Sequence, residues 1–216
     1  MFLDEVKFFQ ARAGELPSHE NQEKYKDIGA LWVVSGGGTY LSALVDSPSD
    51  RSYGKYPWYI GQDKVRLDYA KRWLDAYSLQ PPFAKATLIY NGTKEQNRDL
   101  LRAISDGKFD FARSSVYISQ ANITRTIEQI KNFSLPDSFD IKGEKLAVLS
   151  HSAHLPRILR FMNKFPNRFK GVKIVPLSVN LDQKSSENQM AELELNNLLG
   201  YIERGEASAE PYPYRN

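Results

Sequence analysis

Cysteine is absent from this 216-residue chain. Structural disulfides, thiolate nucleophiles and cysteine-ligated metals are excluded with it, while the redox character of the compartment stays open. Histidine is nearly absent too, with three in all, and two of them, His151 and His154, fall within one stretch of four residues. No apolar run approaches the roughly 18 residues of a membrane span. The opening stretch MFLDEVKFFQARAG carries Asp4 and Glu5 where a secretory signal is apolar, and no small-residue cleavage site follows. The chain thus reads as soluble and cytoplasmic. Neither sign of charge dominates: 29 basic and 26 acidic residues are interspersed and give a net charge of +3. A basic stripe of the kind that tracks nucleic acid is missing, so no nucleic-acid partner is expected.

Several motifs are missing as well. The glycine cluster SGGGT (35–39) is followed by no Gly-Lys-Ser/Thr and is not spaced as a dinucleotide fingerprint. LSHSAH (149–154) is not a nucleophile elbow, which needs Gly-x-Ser-x-Gly. The His-x-x-His spacing lacks the glutamate and the interval of a metalloprotease helix, so no metal site is expected. No pair of carboxylates stands out for glycoside chemistry.

What is present is an alternation of apolar runs and amphipathic stretches. Short β-branched or aromatic runs predict strands over 30–35, 86–92, 115–119, 145–150 and 172–179, the last interrupted by Pro176, which suits an edge. Helical spacing predicts helices over 65–77, 97–104, 123–130, 155–162 and 187–202. Pro156 fits a first turn, and Gly107 a helix stop. Strands alternating with helices imply a mostly parallel five-stranded sheet, helices on both faces, three layers, α/β class. One domain over 1–216 is the default at this length. The long irregular segment 39–62, with four tyrosines and Trp58, reads as a lid. The tail EASAEPYPYRN is either frayed or docked as an extended arm.

In such folds ligands sit beyond the carboxyl ends of the strands. At the first strand end, Gly36, Gly37 and Gly38 let backbone N–H groups approach a ligand, or simply form a tight turn. At the second, Asn91, Gly92 and Thr93 open a helix N-terminus that suits an anion; equally, Thr93 and Gln96 have the spacing of a capping box. At the fourth, Ser150, His151, His154 and Arg157 gather where strand meets helix. His154 and Arg157 share a helix face, so a guanidinium and an imidazole stand together, either for an anionic group or, through His154, for proton transfer. Arg66, on the helix after the lid, is a further ligand-binding candidate, or a surface arginine paired with Asp63 or Asp68.

These residues also carry a resemblance. VLSHSAHLPRILRF (148–161) resembles the strand and Thr-Ser-x-x-His-x-x-Arg segment of the YdcF/SanA/ElyC-like family of bacterial proteins: Ser150 takes the Thr position, and His154, Pro156 and Arg157 fall on the family's His, Pro and Arg. VVSGGG and RLDYAKRWLDAY are similar to its first strand, glycine turn and following helix. LIYNGT (88–93) stands where the family has Ser-Gly-Gly, so Gly92 matches while Tyr90 and Asn91 depart. In TRTIEQI (124–130), Thr126 and Glu128 match and Arg125 and Gln129 depart. The resemblance covers about residues 30–180, leaving 185–216 as an added helix and tail. It implies a Rossmann-like fold, a polar pocket over the strand ends, and a nucleotide-like or S-adenosylmethionine-like ligand. Many members carry an N-terminal anchor, so this chain would belong to a soluble branch. The resulting expectation is a small-molecule transferase or hydrolase. His154 and Glu128 would be catalytic; Gly36–Gly38, Arg66, Asn91, Gly92, Thr93, Thr126, Ser150, His151 and Arg157 would bind. The alternative is a non-catalytic scaffold in envelope maintenance.

Overall fold

A computed structural model describes residues 2–36, 62–79, 86–107, 109–111, 116–119, 123–133, 145–180 and 184–213. Five strands, β1 (Ile28–Val33), β2 (Thr87–Tyr90), β3 (Val116–Ile118), β4 (Lys145–His151) and β5 (Lys173–Val179), form one sheet in the order β3-β2-β1-β4-β5. Every neighbouring pair is parallel, so the sheet is wholly rather than mostly parallel. Pro176 lies on β5, an edge strand, where its missing N–H costs no ladder bond.

Strand residues alternate between the faces, as a period of two requires. Trp32, Leu146 and Val148 enter one core with apolar residues of helices α1 (Phe2–Gln10), α5 (Thr126–Lys131), α6 (Leu155–Lys164) and α7 (Lys184–Glu203). Leu31, Val33, Ala147 and Leu149 enter the other, with α3 (Gln62–Ser78), α4 (Lys94–Ser105) and Tyr25 of the short helix α2 (Gln22–Tyr25). A sheet covered on both faces explains the near-continuous apolar runs in its central strands. The result is the three-layer, Rossmann-like α/β arrangement expected from the sequence. The chain passes from edge strand β3 back to β4 beside β1, so the order reverses there, and it is beyond the carboxyl ends of such strands that ligands bind in this class of sheet.

Three features complete the frame. Gly107 adopts φ 69° and ends α4, as its place in the sequence suggests. The tail is docked: Ala207 is buried, Tyr212 packs on the α6 face, and Ser208 N–H donates to the Arg160 carbonyl. Helix α1 is an element that the sequence pattern does not predict. It is locked by a buried bidentate ion pair in which Arg160 of α6 donates from both terminal nitrogens to Glu5, at 2.6 and 2.7 Å. Most of segment 39–62, the expected lid, lies outside the described residues; Gln62 itself begins α3.

Removing one partner of a buried pair strands the other charge. Glu5→Gln is therefore expected to lower unfolding free energy by about 3 kcal/mol, while a Glu5→Leu/Arg160→Met double variant regains most of it. Urea unfolding of the three proteins tests this. A double variant as unstable as the single one would contradict it.

Candidate functional site

The carboxyl end of the sheet at this reversal is built from strand ends and helix starts. Val34 N–H donates to the Leu149 carbonyl, continuing the β1–β4 ladder by one step and placing the Ser35–Gly36 turn beside the end of β4. Gly37 and Gly38 lie outside the described residues.

Among the described residues, three amides expected to cradle an anion, those of Gly36, Gly92 and Thr93, have partners within the protein. Gly36 N–H donates to Asp63 at 2.8 Å. Gly92 N–H donates to the Asn97 side chain at 2.9 Å. Thr93 N–H donates to Gln96 Oε1 at 2.8 Å, and Gln96 N–H returns to Thr93 Oγ1 at 3.2 Å, which is the capping box. Gly92 is needed for a steric reason: a Cβ there would stand 2.7 Å from Gln96 Oε1 and 2.8 Å from Tyr90 Cε1.

Asp63, which the sequence suggests only as a surface partner, is the hub of one side. It accepts from Gly36, from Tyr90 Oη at 2.9 Å, from Gln96 Nε2 at 2.9 Å, and from Arg66 at 2.5 Å. Burial pushes its carboxyl up, and the Arg66 guanidinium pulls it back. Arg66 is fully buried, not a surface residue. Asn91 also serves the framework. Its Oδ1 accepts from Trp32 Nε1 at 2.7 Å, and its Nδ2 donates to the Gln129 carbonyl at 3.1 Å. The Gln129 side chain donates to Ser35 Oγ at 2.5 Å.

On the other side His154 sits at the start of α6, at the centre of a chain of contacts. Its Nδ1 faces Ser150 Oγ at 3.1 Å; its Nε2 faces Arg157 Nη2 at 3.0 Å and Thr126 Oγ1 at 3.4 Å. A guanidinium can only donate, so Nε2 carries the lone pair and the proton resides on Nδ1, directed at Ser150. Arg157 in turn donates to Glu194 of α7 from Nε at 2.5 Å and Nη2 at 3.2 Å. Burial first, then Arg157, Arg66 and His151, hold the His154 pKa far below its usual range, so the ring is neutral. Glu194 has no signature in the sequence, since nothing local marks the partner of an arginine 37 positions away.

His151 is fully buried, and neither ring nitrogen has a partner among the described residues. Burial, and secondarily Arg66, lower its pKa to about 3. Ser152 Oγ and Gln129 Oε1 are likewise buried and without a partner among those residues. Glu128 is otherwise engaged. Its carboxylate caps α5, accepting from Thr124 N at 2.7 Å, Thr124 Oγ1 at 2.8 Å and Arg125 N at 3.1 Å. The Thr124 amide above all holds its pKa below the usual range. The structure thus brings Ser150, His154, Arg157 and Thr126 together, places Arg66 within electrostatic reach of both histidines, and leaves Glu128 at a helix cap.

Compared with protein-family models, curated proteins and solved structures, the chain matches none.

The close approach at Gly92 and the buried histidines each have a measurable consequence. Gly92→Ala forces Gln96 out of its capping position and is expected to cost about 1–3 kcal/mol, as overpacking does; an unchanged urea midpoint would refute the close approach. The second consequence concerns pH. A histidine with a depressed native pKa binds its proton more tightly when unfolded, so stability is complete above pH 6.5 and falls as pH drops toward 3. The slope approaches about 1.4 kcal/mol per pH unit for each histidine. Urea unfolding of His151→Leu between pH 7.5 and 5 should show a shallower loss than the wild type; parallel curves would count against a neutral buried His151.

Proposed function

We propose that this chain is a small-molecule-binding α/β protein whose site is the crevice between the carboxyl ends of β1 and β4, with a nucleotide-like molecule as its ligand. One observation carries the reading: His151 is wholly buried at the end of β4, with both ring nitrogens lacking a partner among the described residues. Buried polar groups are almost always hydrogen-bonded, and an orphaned imidazole at the point where strand order reverses is placed as a ligand contact is placed in this class of sheet. Two features beside it support the same reading. His154 has a fixed tautomer and neighbours the Thr126 hydroxyl, and Arg66 lies close enough to act on both rings.

The geometry favours recognition over proton transfer. Both nitrogens of His154 are engaged, its protonated form is disfavoured, and Glu128 serves a helix cap. If the chain is an enzyme of the transferase or hydrolase type, the described residues orient the substrate and exclude water.

Thermal-shift measurements with nucleotides, S-adenosylmethionine and sugar phosphates test the proposal. A ligand present at 100 times its Kd stabilises the native state by about 2.7 kcal/mol and raises Tm by several degrees. The expected result is such a shift from at least one compound, abolished in His151→Leu. Silence across the panel, with a stable protein complex recovered by pull-down, would replace this reading with that of a scaffold.

A further inference from the structure

The polar groups left for a ligand among the described residues are not the ones an anion needs. Arg66 has Asp63 at 2.5 Å, and Arg157 has Glu194 at 2.5 Å, so each of these guanidiniums has its own carboxylate. The amides of Gly36, Gly92 and Thr93 are turned to side-chain oxygens of Asp63, Asn97 and Gln96. A phosphate would have to displace one of these partners, leaving a buried carboxylate or carbonyl unsatisfied. Beside these charged pairs, three uncharged side chains with atoms lacking a described partner are of a different kind. A neutral His151 ring offers one donor and one acceptor, Ser152 Oγ offers either, and Gln129 Oε1 offers an acceptor. None of the three bears a charge.

Resting on the reading of this crevice as a ligand site, we propose that its buried end takes the uncharged part of the ligand. That part is a heterocycle edge or a sugar diol, which pairs a donor and an acceptor at once, and any phosphate stays outside the His151 region. Charge balance makes the discrimination. An uncharged donor–acceptor group satisfies His151 without disturbing the Asp63–Arg66 or Arg157–Glu194 pairs, whereas a dianion adds charge to a centre already balanced. The carboxylate that enforces this is identifiable. Glu194, reaching in from α7, cancels Arg157 where the guanidinium meets His154 Nε2.

The experiment compares adenosine, AMP, inorganic phosphate and pyrophosphate by thermal shift on the intact protein. Wild type, His151→Leu and Glu194→Gln are run in parallel. Adenosine and AMP are expected to bind within about threefold of each other, a difference worth well under 1 kcal/mol, and phosphate and pyrophosphate to give no shift. His151→Leu should lose the nucleoside response. Glu194→Gln, which leaves Arg157 without its counter-charge, should gain a response to phosphate. A shift from AMP with none from adenosine, or a wild-type phosphate response that His151→Leu abolishes, overturns the inference while the crevice stands as a ligand site. If nucleosides, nucleotides and phosphates all fail in the wild type, the site assignment falls and this inference with it. Should Glu194→Gln not fold, the adenosine–AMP comparison and His151→Leu still decide.

Discussion

Two buried guanidiniums determine what the end of β4 can be. Arg66, brought in on α3, acts on both His151 and His154, and Arg157, on α6, acts on His154. An isolated buried cation costs several kcal/mol, so each needs a carboxylate, and each receives one: Asp63 from the first turn of α3, Glu194 from α7. Once the charges are paired, their residual field still opposes a third positive charge. That field, added to burial, keeps both imidazoles neutral. The tautomer of His154, the donor facing Ser150 and the role of α7 as a wall of the site all follow from this arrangement.

The same constraint runs along the other strand ends. Phosphate-binding turns in α/β proteins keep their amides open to the ligand. Here the described amides of Gly36, Gly92 and Thr93 are closed by side chains from α3 and α4, and the α5 start is closed by its own Glu128. These bonds hold the described amides in place without any bound molecule. They also change what the site can recognise, because His151, Ser152 and Gln129, whose atoms lack a described partner, are uncharged. His151 stands out for that reason: of the two histidines, it is the one that the network of described residues does not use.

The fold was legible because its signals are local and repeated. Five apolar runs separated by helical spacing specify a parallel sheet, and Pro176 marked an edge strand, since proline removes a ladder donor. The Thr93/Gln96 box and the His154–Arg157 pairing were legible for the same reason, being set by three-residue helical intervals. What the sequence concealed depends on distance along the chain. Glu194 meets Arg157 across 37 positions and Glu5 meets Arg160 across 155, and no spacing rule connects them. Helix α1 offered only Phe2, Val6 and Phe9 at helical intervals, too few apolar positions to tell a helix from a loop before its burial is known. Arg66 illustrates the reverse case. Its pairing with Asp63 could be read from the i, i+3 interval, but its complete burial could not, because burial is set by elements distant in the chain, such as β2 and α4, whose Tyr90 and Gln96 close on its partner Asp63.

Asn91 and Gln129 have a common physical origin. They touch: the Asn91 amide donates to the Gln129 carbonyl. Both are tied to Trp32 near the end of β1, whose ring packs on Phe133 at 4.2 Å and whose indole N–H donates to Asn91. A buried indole N–H requires an acceptor. A tryptophan at that position therefore calls for an acceptor on the same face at the end of the adjacent strand, just beyond β2, where Ile89 is its register partner. Asn91 supplies that acceptor and uses its remaining donor to hold α5, whose Gln129 side chain then reaches Ser35. Asn91 and Gln129 are thus linked adjustments around one large side chain on the α5–α6 face of the sheet. They act through the position of α5, whereas Ser150, His154 and Arg157 meet one another directly at the end of β4.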